Sequence, residues 1–347
     1  MSGKPFNRGL HAAKASKQDE FYTQLSDIEK ELRHYTKHFK GKTVLCNCDD
    51  PRISNFFKHF LNNFEKLGLK KLITTCYKNN QPDLFSKHDA ESGIYFEYSG
   101  DAENKRLPSP AKIKPHALKG DGDFRSEECI KLLKQADIVI TNPPFSLFRE
   151  YVQQLVKHKK KFLIIGNINA ISYKEVFKLI KENRIWLGAS IHSGDREFGV
   201  PDHYPLKAAG FRVDSAGRKF IRVKGVRWMT NLDYDERHEE MVLFNEYSPA
   251  KYPRYDNYDA IEVSKTADIP IDYDGAMGVP VTFLDKYNPD QFEILGITDR
   301  DNNSGLKTKT YTLEDVKNPG DLNRRGVIRI GRTYKPTYAR LLIRIKK

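Results

Sequence analysis

The chain has 347 residues, 39% of them hydrophobic, with a formal net charge of +13 and a pI near 9.3. That length supports one large α/β domain and a smaller one. The charge favours an anionic partner such as nucleic acid and is uneven, since residues 301–347 hold 12 Lys and Arg against 4 Asp and Glu.

No apolar run approaches the ~20 residues of a membrane span, and the N-terminal MSGKPFNRGL lacks the apolar core of a secretion signal. The expectation is a cytoplasmic protein without a membrane partner. The four cysteines (Cys46, Cys48, Cys76 and Cys129) form no C-x-x-C pair. They read as core residues in a reducing compartment, and no metal site is expected.

In chain order, SDIEKELRHYTKHFKG reads as a helix. Ser26 and Glu29 fit a capping box, Ile28, Leu32, Tyr35 and Phe39 recur at helical spacing, and Gly41 marks the end. KTVLCNC is a buried strand. SNFFKHFLNNFEKLG is a second helix, capped by Ser54 and ended by Gly68, and KKLITTCY is the next strand. Residues 78–120 are polar and loop-rich, apart from the strand candidate GIYFEYSG. Then come a helix capped by Ser126 (SEECIKLLKQ), a strand at Ile138–Ile140, the helix LFREYVQQLVKH, the strand KFLIIGN and the helix YKEVFKLIKEN.

This alternation predicts an α/β fold, a parallel sheet with helices on both faces. Residues 191–217 are punctuated by Gly and Pro and read as a long loop. KFIRVKGVRWMTNL and EEMVLFNEY predict two adjacent antiparallel strands. The texture changes after Tyr247, so the expected domains are 1–250 and a smaller, mostly-β region, 251–347, that ends in two strands joined by a basic turn.

The chemistry concentrates in ADIVITNPPFSLF, residues 136–148. A buried strand ends at Asn142, because Pro143 and Pro144 cannot extend a sheet ladder. The Asn142 side chain offers a carbonyl acceptor, and Pro144 holds Pro143 extended, which sets where the Pro143 carbonyl points. Two acceptors together suit an exocyclic amine, and Phe145 supplies a flat face for a planar ring. Such a nitrogen is a weak nucleophile because its lone pair is delocalised into the ring. Acceptors on its hydrogens stabilise the positive charge that develops during attack.

Asn-Pro-Pro-Phe after a buried strand resembles the catalytic motif of S-adenosylmethionine-dependent amino-group methyltransferases. DEFYTQ (19–24), CNCDDPRISNFFKHF (46–60), GDGDFR (120–125), TNPPF (141–145) and RWMTNL (227–232) are similar in order and form to EcoRI-type adenine DNA methyltransferases, over roughly the first 245 residues. GVPVTFLDKYNPDQFEILG (278–296) resembles that family's C-terminal part. The resemblance implies a Rossmann-like catalytic domain, S-adenosylmethionine as cofactor, and methyl transfer to a flipped-out adenine in double-stranded DNA. It also implies a restriction-modification or phage-type setting, with a cognate endonuclease as a candidate partner.

The implied catalytic residues are Asn142, Pro143, Pro144 and Phe145, with Trp228 stacking on the target base opposite Phe145. The implied cofactor contacts are Tyr22, Thr23, Asp49, Asp50, Asp121, Asp123, Phe124 and Asn142. The residues alone admit other readings. Asp49 and Asp50 suit a helix-entry turn, Asp121 and Asp123 a Gly-Asp turn with a helix cap, Phe21 and Tyr22 a hydrophobic staple, and Trp228 a structural core. There is no glycine-rich loop after the first strand, and the second strand ends in Cys76 and Tyr77 rather than an acid.

For DNA contacts the candidates are Arg324, Arg325, Arg329, Arg332, Lys335 and Arg340 in the basic end, and Arg196 in the loop 192–207, which also carries Phe198. Each could equally be a solvated surface charge. Competing functions are a non-catalytic DNA-binding protein on a methyltransferase fold and an N6-adenine RNA methyltransferase. A cytosine-C5 enzyme is disfavoured, because none of the four cysteines follows a proline.

Overall fold

The β-branched runs become the strands of one mixed sheet. The computed structural model describes residues 21–48, 52–76, 93–100, 113–192, 194–200, 204, 210–299, 303 and 305–347. Contacts divide the chain into two compact units. The first is Met1–Ala170 with Gly188–Asp233, and the second is Ile171–Leu187 with Tyr234–Lys347. The boundary expected near residue 250 therefore lies inside the second unit, and the helix Lys174–Lys181 belongs with the C-terminal residues.

The strands of the first unit are β1 (Tyr22–Thr23), β2 (Thr43–Asn47), β3 (Lys71–Cys76), β4 (Ile94–Tyr98), β5 (His116–Ala117), β6 (Ile138–Thr141), β7 (Lys161–Asn167), β8 (Arg196–Val200), β9 (Arg212–Val213), β10 (Lys219–Val223) and β11 (Val226–Thr230). Within this unit the main sheet runs β5-β4-β3-β2-β6-β7-β11. Its centre, β3-β2-β6-β7, is parallel, with Val44 opposite both Leu72 and Ile138, and Val139 opposite Phe162. β4 and β11 flank it antiparallel. Every residue of β2 and β6 is buried, which is why these segments read as continuous apolar runs rather than alternating ones.

Local signals explain most boundaries. Ser54 Oγ accepts the Phe57 amide at 3.4 Å and Ser126 Oγ accepts that of Cys129 at 3.2 Å, so both expected caps form. The expected capping box does not. The first helix is Leu25–Leu32 and starts at Gln24, which makes no side-chain cap. Pairing of β1 ends at Thr23 and leaves Gln24 alone to turn the chain, so Ser26 falls inside the first turn.

Three expectations between residues 191 and 247 change. The long loop contains β8 and β9, which join β1 and β10 in a second, antiparallel sheet ordered β1-β8-β10-β9. The run KFIRVKGVRWMTNL is two strands in different sheets, because Gly225, at φ 70°, turns the chain between β10 and β11. EEMVLFNEY is not a strand. It makes a lone bridge, Asn245 to Pro270, and leaves Val242 and Phe244 exposed.

In the second unit, β12 (Ile261–Glu262), β13 (Met277–Pro280), β14 (Phe292–Ile297) and β17 (Arg340–Ile345) form a sheet ordered β12-β13-β17-β14. The C-terminal end, expected as two strands joined by a basic turn, holds three: β15 (Val327–Ile330) and β16 (Thr333–Pro336) make a separate two-stranded ribbon across Gly331 and Arg332, and β17 belongs to the other sheet.

Candidate active site

The chain passes from β2 to β3 on one side of the sheet and returns to β6 on the other. Open α/β sheets bind ligands at such a switch point, beyond the carboxyl ends of the strands. Here the ends are Asn47 and Thr141. The Thr141 hydroxyl donates to the Asn47 carbonyl, and the Tyr151 hydroxyl donates to Asn47 Oδ1. Burial pushes the Tyr151 pKa well above its ordinary value, so the phenol stays protonated and remains a donor. The first bond ties the two strand ends together at the residue before Asn142, and the second fastens Tyr151, on the helix Phe148–Lys157, to the end of β2.

Asn142 is 6% exposed. Its Nδ2 donates to the Phe21 carbonyl at 2.6 Å. A carbonyl can only accept, so this bond decides which way the amide faces. Asn142 Oδ1 is then left buried with no partner among the described residues. The Pro143 carbonyl likewise accepts no hydrogen bond from them. Pro144 accepts the Leu147 amide at 3.0 Å and starts a single 3-10 turn that carries Phe145.

Aromatic rings gather beside this amide. Phe145 lies 5.6 Å from Phe21 and 6.5 Å from Phe198, both edge to face, and Phe21 lies 5.9 Å from Phe198 and 6.3 Å from Tyr204. The second sheet brings them together, since β1 pairs Thr23 with Phe198 and Tyr22 with Gly199. Thr23 is buried next to this corner. Its carbonyl accepts Asn55 Nδ2 at 2.7 Å, while its Oγ1 has no partner among the described residues.

The GDGDF loop follows β5, and its first residues are bonded to Gly93 at the start of β4. That places it beside the carboxyl end of β3. Asp121 Oδ1 accepts the Asp123 amide at 3.0 Å. Both oxygens of Asp123 bind Arg125, at 2.9 and 2.6 Å, and this guanidinium holds the carboxyl below the usual range. The turn reading therefore holds for Asp123, whose carboxylate is already committed. Phe124 is buried against Tyr151, with ring centroids 5.0 Å apart. Asp49 and Asp50 lie outside the described residues.

Two predicted roles need correction. Trp228 is 0% exposed and packs edge-on against Phe56 at 6.0 Å. The rings found against Phe145 are those of Phe21 and Phe198, so Trp228 is a core residue: β11 pairs with β7 and points this indole into the interior. Arg340 is not a free cation. It is 11% exposed and makes three contacts of 2.7–3.1 Å with Glu262, itself 4% exposed, and Tyr255 also donates to that carboxylate. A basic residue at the start of a strand looks the same in sequence whether its acid lies across the sheet or is absent.

The other cationic candidates lie at the surface. Arg325 pairs with Asp321 at 3.3 Å, and Arg329 donates to the Gly331 carbonyl at 3.1 Å. Arg324, Arg332 and Lys335 are exposed, and their side chains have no partner among the described residues. No group of three or more His, Cys, Asp or Glu suited to a metal occurs among the described residues. No helix there is long and apolar enough to cross a membrane.

Residue-by-residue reading missed the Phe21 carbonyl, Asn47, Tyr151 and Glu31. Glu31 is fully buried and accepts the Ala189 and Ser190 amides and the Tyr35 hydroxyl, all at 2.8 Å. A charged residue on the apolar face of a predicted helix was the available signal.

A mixed α/β sheet with an open amide acceptor and an aromatic corner at its switch point defines a site of amino-group methyltransferase type. The chain belongs to the family described as adenine-specific methyltransferase EcoRI, which matches residues 9–346. It is 53% identical to Type II methyltransferase M.EcoRI of Escherichia coli over 307 residues, 87% of this chain and 94% of that one. It is 41% identical to M.MpnI of Mycoplasma pneumoniae and 40% identical to M.MgeORF184P of Mycoplasma genitalium. These matches cover 84% of this chain and, respectively, 84% and 85% of those proteins. No solved structure matches the chain. It is a DNA methyltransferase of the adenine-specific kind.

Proposed function

We propose that the protein transfers a methyl group from S-adenosylmethionine to the exocyclic amine of an adenine rotated out of duplex DNA. The observation that carries this reading is the Asn142 amide, which is locked by Phe21 so that only its acceptor end is open. Asn142 Oδ1 and the Pro143 carbonyl each accept one N–H of the amine. This turns the nitrogen lone pair away from the ring system and stabilises the charge that appears on it. No base is needed before attack, because the amine's proton becomes acidic only once the new C–N bond exists. Phe145 meets the base, and Phe198, which is 1% exposed, packs edge-on behind it in the place the sequence reading gave to Trp228.

S-adenosylmethionine, when bound, supplies an electrophilic methyl group. The donor set suits it: Thr23 presents a buried, unpartnered hydroxyl, Tyr22 precedes it, and Phe124 with Asp121 lines the loop beside the end of β3. Asp49 and Asp50 are assigned to this role by their place after β2, whereas Asp123 serves the loop through Arg125. Arg324, Arg325, Arg329, Arg332 and Lys335 are assigned to DNA phosphates or base edges. A cognate endonuclease acting on the same site is the proposed partner, in keeping with the Type II names of the relatives.

Single-molecule sequencing of DNA from cells expressing the protein tests the reaction, with N6-methyladenine at one recurring sequence expected. Unmodified DNA, together with cofactor binding by calorimetry, would leave a DNA-binding protein instead.

A further inference from the structure

Residues two apart on a strand share a face. On β8, Arg196, Phe198 and Val200 therefore lie together, with Glu197 on the other side. The Phe198 ring belongs to the aromatic corner at Asn142. Glu197 is committed to Arg212 through two contacts of 2.6 Å. Among the described residues Arg196 has no carboxylate partner. One terminal nitrogen donates to the neighbouring Asp195 carbonyl at 3.1 Å, and its Nε is buried with no partner among them. A guanidinium N–H withdrawn from water and left unbonded is unfavourable, and beside the aromatic corner at Asn142 it is available to an acceptor on a ligand.

This strand does not leave from a slack loop. Glu31 holds the Ala189 and Ser190 amides, and Arg227, itself buried, donates to the His192 carbonyl at 2.5 Å and the Val226 carbonyl at 2.9 Å. Two buried charges of opposite sign thus anchor the backbone from which Arg196 and Phe198 are presented.

We infer that Arg196 grips a phosphate of the target nucleotide in its rotated-out state, beside the aromatic corner that receives that nucleotide's base. This rests on the proposed role of Asn142. Two residues along a strand span about 7 Å, which is the scale separating a base from its own backbone phosphate. A planar guanidinium fork matches phosphate oxygens. Arg196 therefore acts on the flipped state, unlike the C-terminal arginines, which are assigned to the duplex.

The test combines Arg196→Ala with DNA carrying a neutral methylphosphonate at each phosphate flanking the target adenine in turn. Single-turnover methylation and 2-aminopurine fluorescence at the target position are the readouts. The expected result is a loss of about ten- to a hundredfold in rate for Arg196→Ala, with weaker fluorescence enhancement. At one flanking phosphate the methylphosphonate should slow the wild type equally and the variant no further. The deficit should shrink on a duplex lacking the base opposite the target, where unpairing is cheaper.

Additive losses at every phosphate would overturn the inference. So would an unchanged rate, or a parallel loss of S-adenosylmethionine affinity, which would move Arg196 to the cofactor. Arg196→Met, checked by calorimetric cofactor binding, repeats the test should the alanine variant fail to fold. Failure of the wild type to methylate any adenine would count against the reaction itself, a separate outcome.

Discussion

The two compact units each bury a polar centre, and the two centres are finished differently. In the second unit, Glu262 is saturated by Arg340, Tyr255 and Ser264. In the first, Asn142 is tied at one end and open at the other. A closed buried network stabilises and specifies a fold, because every member has its partner. A half-closed one stays unfavourable until a ligand completes it, and that cost is tolerable only where a ligand comes. In sequence Asn142 read as catalytic and Arg340 as a DNA contact, and Glu262 carried no signal.

The comparison breaks most directly at Asn142. Asn142→Ala is expected to abolish detectable methyl transfer, where loss of a single oriented partner at a reacting group typically costs 10²–10³ in rate or about 3–4 kcal/mol. Calorimetry should find cofactor affinity largely intact. Near-normal turnover would remove the amide from the chemistry.

Arg340→Met should do the opposite. It leaves Glu262 charged and buried, at a cost of about 3–5 kcal/mol in unfolding by denaturant, and it should leave the salt dependence of DNA binding unchanged. Pairing it with Glu262→Leu should recover much of that stability. A flattened salt slope in the single variant would return Arg340 to the DNA surface.

The aromatic reassignment is sharpened by a pair of variants. Phe198→Leu should slow single-turnover methylation about tenfold, because Phe145 loses the edge-to-face support that backs it, worth ~0.5–1.5 kcal/mol. Trp228→Phe should instead lower stability by about 1 kcal/mol, with the methylation rate nearly unchanged. Rates ordered the other way would put the indole back at the base. In the ribbon, Arg332→Ala should reduce the slope of log affinity against log salt by about 1 while weakening all sequences alike.

The smallest effect concerns Asp123. Arg125 holds its folded-state pKa down, so its contribution is complete at neutral pH and is lost as pH falls through that depressed value. Thermal melts from pH 7 to pH 3 should show the wild type losing slightly more than Asp123→Asn. Equal losses would mean the pairing carries no stability.

Much of this was legible in the chain. The buried β-branched runs around Leu45, Val139 and Ile164 became the parallel centre of the sheet, Ser54 and Ser126 became caps, and Asn-Pro-Pro-Phe ended a strand at the switch point. These are local signals, in which propensity, period and capping agree over a few residues. The stretch 191–230 was misread because its strands are short and their partners are distant. β8 pairs with residues 22–23, and nothing near residue 198 announces it.

What the sequence by itself determined is the position and type of the chemistry: an amide and two prolines must stop a strand, and the charge must gather near the C-terminus. Only the tertiary structure decided which polar atoms remain open. Phe21 meets Asn142 from 121 residues away, and Glu262 meets Arg340 from 78. A side chain carries its donors and acceptors in its covalent structure, but whether they are satisfied depends on long-range partners that the fold alone brings within hydrogen-bond distance.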